Sequence, residues 1–102
     1  MKLGEAITSL RKKRQLLQKD LALKANISSP HLSLIEKDKT DVNLKTLSAI
    51  ADALEVPLPV LFFFTISDED VPEEKKAVFQ PFYALINGLI DNVFIQDFNN
   101  KT

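Results

Sequence analysis

An all-α fold is the expectation for this 102-residue chain, and three observations carry it. Apolar residues recur at intervals of three and four through the first half, the period of one helical face. Residues that close and open helices stand between these runs, Asn26 behind one and Ser28, Ser29 and Pro30 ahead of the next. A stripe from Val78 to Phe94 repeats the helical spacing near the C-terminal end. The length, with 45% apolar residues, allows one compact domain and an appendage but not two independent cores.

Leu3, Ala6, Ile7 and Leu10 share a face, and the basic run Arg11 to Arg14 suits a helix C-terminus, so a first helix is expected over 3–14. Gln18 opens a second, in which Leu21, Ala22 and Ala25 face one way and Asp20 complements the dipole. Asn26, which tolerates the left-handed conformation, ends it. A third helix begins after the Ser28 and Ser29 hydroxyls, with Pro30 in its first turn and Leu32 and Ile35 pointing inward. Residues 37–41 read as a polar loop. Leu44, Leu47, Ile50, Ala51 and Leu54 mark a fourth helix that Val56-Pro57-Leu58-Pro59 stops. Leu61 and the three phenylalanines after it fit a buried strand or a short helix, and four helices before them favour the helix. The acidic segment from Ser67 to Glu74, with Pro72, reads as a linker.

Composition excludes several kinds of chemistry. There is no cysteine and one histidine, so neither a disulfide framework nor a zinc cluster is expected, and no metal or cofactor. Two glycines, Gly4 and Gly88, are too few for a phosphate cradle. His31 lacks a neighbouring nucleophile and is read as facing solvent or phosphate. No enzymatic activity is expected. Residues 1–5 lack the pattern of a secretion signal. The apolar run 58–66 is about half the roughly 20 residues that span a bilayer, so a cytoplasmic chain with no membrane partner is expected.

The net charge of −1 hides an asymmetry. Residues 1–40 carry nine Lys and Arg against four acids, whereas residues 67–102 carry three lysines against seven acids. Local patches outweigh the sum because salt screens charge beyond about 8–10 Å. A basic N-terminal part with two short helices, a tight turn and a serine-capped second helix has the form of a DNA-reading helix-turn-helix. The cluster from Arg11 to Arg14 fits either a solvated helix end or direct phosphate contact.

The segments Gln18-Lys19-Asp20-Leu21-Ala22, Asn26-Ile27-Ser28, Leu32-Ser33-Leu34-Ile35-Glu36 and Leu44 to Val56 resemble the Cro and phage-repressor helix-turn-helix family, over about the first 64 residues. The resemblance implies a lambda-repressor-like five-helix bundle, DNA binding and a two-fold dimer. It implies phosphate-facing roles for Gln18, Lys37 and Lys39, and groove-facing roles for Ser28, Ser29, Pro30, Ser33 and Leu34, with His31 beside them. It also implies a partly buried salt bridge between Arg11 and Glu36. The chain departs from the family at Asp38, where glycine is common, so the exit of the third helix adopts a left-handed or a different turn. Pro30 and Leu34 replace long polar readers, which shifts base recognition toward serine hydroxyls, a Leu34 contact with a thymine methyl, and DNA shape.

The expected organisation is a DNA-binding domain over 1–66, an acidic linker over 67–77 and an amphipathic C-terminal helix over 78–102. The stripe on that helix is wider than a small domain leaves uncovered, and it can pack on its own domain, on a second copy or on another protein. Operator half-sites about 34 Å apart need two reading helices in fixed relation. This favours self-association through Phe79, Phe82, Tyr83, Ile86, Leu89, Ile90, Val93 and Phe94. The expected function is a homodimeric regulator, a repressor, of a palindromic operator on double-stranded DNA. The alternative is an antitoxin whose C-terminal segment covers a toxin while the N-terminal domain represses its own operon.

Overall fold

The computed structural model describes residues 2–96, with the backbone alone for Asp68 and Gln96. The described residues form six α-helices and no strand, as the all-α reading expects. Two compact units divide the chain, residues 1–65 and 66–102.

In the first unit α1 spans Leu3–Lys13, α2 Gln18–Ala25, α3 Ser29–Glu36, α4 Leu44–Ala53 and α5 Leu58–Phe63. The core is the set of apolar faces read from spacing. Ala6, Ile7 and Leu10 of α1, Leu21, Ala22 and Ala25 of α2, Leu32 and Ile35 of α3, Ile50 and Ala51 of α4, and Leu61 of α5 are all buried. Each fully buried leucine or isoleucine stabilises the fold by about 1.5–3 kcal/mol, and helices this short, 11 residues in α1 and 6 in α5, would not hold in isolation without such a face. α2 packs on both α3 and α4, which places the α2–α3 pair on a rigid base.

Helix ends follow one rule. Gln15, Asn26, Asp38 and Glu55 have φ between 57° and 60°, and none is glycine. At each, the residue's N–H donates three residues back and the next N–H donates five back: Gln15 to Lys12 and Leu16 to Arg11, Asn26 to Leu23 and Ile27 to Ala22. The pairs Asp38 to Ile35 with Lys39 to Leu34, and Glu55 to Asp52 with Val56 to Ala51, complete the set. This is the Schellman closure, which satisfies carbonyls that a helix end leaves bare. Asn26 was expected in this role. Gln15 and Glu55 carry no residue-type signal for it.

Two boundaries differ from expectation, and one expected boundary gains a cap, for local reasons. α1 ends at Lys13, with Arg14 as its cap. Leu58 and Pro59 do not merely stop the fourth helix: Leu58 opens α5 and Pro59 lies in its first turn, where a missing N–H costs nothing. Asn43 caps α4 by accepting from the Thr46 N–H at 2.8 Å.

The second unit begins with single 3-10 turns at Asp68–Asp70 and Glu73–Lys75, so part of the expected linker is helical. α6 runs Lys76–Ile90 and continues as a π-helical turn over Asp91–Gln96. Pro81 sits inside α6 and removes one backbone hydrogen bond. The last residues of the expected C-terminal helix, 97–102, lie outside the described residues.

Candidate nucleic-acid interface

α2 and α3 are joined by Asn26, Ile27 and Ser28. The left-handed Asn26 turns the chain, and Ser28 caps α3 by accepting from the His31 N–H at 3.1 Å. Every third or fourth side chain of α3 is then committed inward: Leu32 and Ile35 are buried, and Glu36 with them. The opposite face is what remains. Ser28, Ser29 and Pro30 are exposed, His31 and Ser33 are half-buried, and Leu34 is exposed. Lys37 and Lys39 follow as exposed cations where the chain leaves α3. All the groove-facing candidates therefore share one accessible surface.

That surface is held by a polar node beneath it. Arg11 Nε donates to Glu36 Oε2 at 2.8 Å and Arg11 Nη2 to Glu36 Oε1 at 3.1 Å, a bidentate pair. Arg11 Nη1 also donates to the Leu16 carbonyl at 2.9 Å. Gln18 Nε2 donates to Glu36 Oε1 at 3.1 Å. One carboxylate thus ties α1, the loop after it, α2 and α3. The family resemblance assigned Gln18 to phosphate; its side chain is engaged with Glu36, and an amide nitrogen retains a second hydrogen to donate.

The N-terminus of α2 is open. Leu17 stands at the capping position and has no acceptor to offer, although Asp20 Oδ2 accepts from the Leu17 N–H at 3.3 Å. First-turn N–H groups and the positive end of the helix dipole suit an anion there. A shallow cleft of about 430 Å³ lies beside it, lined by Lys19, Asp20, Ala22, Leu23, Ile27 and Ser29. Lys19 had been counted only in the basic surplus, and its place in this cleft adds it to the candidate surface.

The basic cluster that closes α1 is, taken as a whole, neither of the two things expected of it. Arg11 serves the Glu36 node. Arg14 is buried and donates from Nε to the Leu54 carbonyl at 2.7 Å and from Nη2 to the Glu55 carbonyl at 3.1 Å, gripping the C-terminal end of α4. Burial lowers the Arg14 pKa and the Glu55 carboxylate raises it; arginine stays charged through such opposing effects. Lys13 Nζ lies 5.7 Å from the centre of the Phe64 ring, in range of a cation–π contact. Sequence reasoning missed Arg14, whose partners are 40 and 41 residues away.

Asp38, the departure from the family pattern, is left-handed and has a second task. Its Oδ1 accepts from the Gly4 N–H at 2.9 Å, capping α1. Gly4 is needed at this crossing, since a Cβ there would lie 2.5 Å from the carbonyl oxygens of Ile35 and Glu36. A glycine at 38 would lack the carboxylate that closes this contact.

In the second unit, Phe82, Leu89 and Val93 of the expected dimerisation set are exposed. Phe79, Tyr83, Ile86, Ile90 and Phe94 are half-buried, and the Phe79 and Tyr83 rings lie 5.4 Å apart. Val78 and Leu85, outside that set, are also exposed.

A family model described as helix-turn-helix matches residues 7–61, more than half of the chain. An immunity repressor protein of Bacillus phage phi105 is 36% identical over 77 residues, covering 76% of this chain and 51% of that protein. The regulator DdrOP3 of Deinococcus deserti is 45% identical over 51 residues, covering 50% of this chain and 40% of its own length. The chain thus spans about half or less of each of these relatives. Among solved structures, the restriction–modification controller protein C.Esp1396I superposes with a TM-score of 0.58 at 31% identity, covering 61% of this chain and 82% of that one. ClgR of Corynebacterium glutamicum, a clp gene regulator, matches over 92% of both chains with a TM-score of 0.61. At 19% identity, this second likeness concerns the fold alone. The match over 7–61 falls on the elements that build the surface described above, and the chain belongs to the helix-turn-helix family of DNA-binding transcriptional regulators, of the Cro and phage-repressor type.

Proposed function

We propose that this chain is a sequence-specific transcriptional repressor that binds a palindromic operator as a homodimer, in the compartment that holds the DNA. α3 enters the major groove and presents Ser28, Ser29, Pro30, His31, Ser33 and Leu34 to base edges and the adjacent backbone, while Gln18, Lys37 and Lys39 meet phosphates. The observation that carries this reading is the α3 face itself: Leu32, Ile35 and Glu36 are committed inward, so serine hydroxyls, Pro30 and Leu34 are left on the outward side. The immunity repressor of phage phi105 supports the word repressor. Dimerisation through the C-terminal stripe supplies the two reading heads that half-sites one helical turn apart require.

Selection from random-sequence DNA with the full chain tests the proposal. The expected result is enrichment of one inverted repeat whose half-site centres lie about 34 Å, or a multiple of it, apart. Enrichment of no sequence sinks the repressor reading, and enrichment of a lone half-site sinks the dimer.

A further inference from the structure

The C-terminal helix carries its most exposed apolar side chains in one line. Val78 is 76% exposed, Phe82 59%, Leu85 62%, Leu89 52% and Val93 56%. The steps between them are four, three, four and four residues. At 100° per residue the first four fall within an arc of about 60°. The wider π-helical turn that begins at Asp91 brings Val93 back over the same line.

We propose that two copies of this chain pair α6 antiparallel along this line, about a two-fold axis at Leu85; the proposal rests on the dimer reading above and gives it an interface and an orientation. The line is nearly palindromic. Val78 lies about 10.5 Å before Leu85 and Val93 up to about 12 Å after it. Antiparallel pairing sets Val78 of one copy against Val93 of the other, Phe82 against Leu89, and Leu85 against itself. An apolar groove of about 510 Å³, lined by Val71, Lys75, Val78, Phe79 and Phe82, lies at one end of the line. The same pairing delivers Val93 of the second copy to that groove.

Charge argues for the occupant and the orientation. Residues 77–90 contain no charged side chain, so the rim offers nothing to an acidic or basic partner and suits an equally neutral surface. A parallel pair would align the two helix dipoles, which the antiparallel pair opposes. The five side chains expose on the order of 500 Å² per copy, so about 1,000 Å² in the pair, the threshold for a specific interface. A bilayer is the rival occupant, because the helical segment Glu73–Ile95 is long and apolar enough by length and composition to cross one. Its uncharged part is only about 21 Å long at 1.5 Å per residue, against the roughly 30 Å of a hydrocarbon core.

The absence of cysteine makes cross-linking decisive. Full-length Leu85→Cys is expected to form a disulfide dimer without DNA, whereas Val78→Cys alone and Val93→Cys alone do not. A mixture of Val78→Cys and Val93→Cys chains is expected to join one to the other, since a disulfide needs Cα atoms within about 7 Å. Leu85→Asp, which places two carboxylates on the axis, is expected to weaken the dimer by at least about 100-fold in sedimentation while leaving helix content unchanged. Self-linking of Val78→Cys and of Val93→Cys would show a parallel pair and overturn the proposal. So would a chain that stays monomeric, or one that pellets with phosphatidylcholine–phosphatidylglycerol vesicles in place of dimerising. These readouts need no operator, so they stand or fall separately from DNA recognition.

Discussion

Glu36 is the residue on which the reading surface turns. It is buried beneath α3 and accepts from Arg11 twice and from Gln18 once, with its side chain 5% exposed and that of Arg11 13%. Removing one partner of such a pair leaves a charge without compensation, a loss of about 3–5 kcal/mol, whereas replacing both by apolar groups costs far less. Arg11→Ala is therefore expected to lower unfolding stability by about 3–5 kcal/mol in urea titration. Combining Arg11→Met with Glu36→Leu should recover most of that loss. A single substitution costing under about 1 kcal/mol would mean that the node is solvated and holds nothing. The Arg11–Glu36 pairing was implied by family resemblance. The Gln18 bond to the same carboxylate had no counterpart in that reading, because helical spacing says which face a residue takes and not which atom it finds there.

At the level of helices, the recurring feature is the left-handed residue behind α1, α2, α3 and α4, with glycine at none of the four positions. An L-residue with a Cβ pays roughly 1–2 kcal/mol for that conformation relative to the right-handed one. At Asp38 the carboxylate repays it through Gly4, and Asn26 is a residue type that tolerates it. Gln15 is exposed. Gln15→Gly is expected to raise stability by about 0.5–1 kcal/mol, seen as a higher urea midpoint at unchanged slope, with the larger flexibility of glycine in the unfolded chain offsetting part of the gain. An unchanged or lower midpoint would mean that the turn after α1 carries no strain.

For the molecule as a whole, function depends on where charge ends up after folding. Of the basic surplus in residues 1–40, Arg11 and Arg14 are spent on Glu36 and on the end of α4. Lys37 and Lys39 remain exposed at the exit of the proposed reading helix. If three to five phosphates are met per subunit, binding should fall steeply with salt, each contact adding about 0.9 to the log–log slope. Lys37→Ala and Lys39→Ala are each expected to flatten that slope by about 0.9 and to weaken all operator variants alike, whereas Leu34→Ala should leave the slope and relax preference at one base pair. An unchanged slope after both lysine substitutions would remove them from the phosphate contacts.

Helices, the helix ends at Asn26 and Ser28 and the outward serine row were readable because each depends on residues within a turn or two: Leu32 and Ile35 mark an inner face, and Ser28 sits three residues before the N–H it caps. Leu58 and Pro59 were misassigned as a stop for a related reason, since the same proline signal ends one helix or opens the next. The contacts that brace the reading surface lie outside any such window. Arg14 reaches carbonyls 40 and 41 residues on, Asp38 reaches back 34, and Gln18 reaches forward 18. Such bonds form only where packing has already brought distant backbone together, and their strength depends on tenths of an ångström that periodicity does not encode. Local order was thus written in the chain one turn at a time, and the bracing between turns came from the way the helices fit.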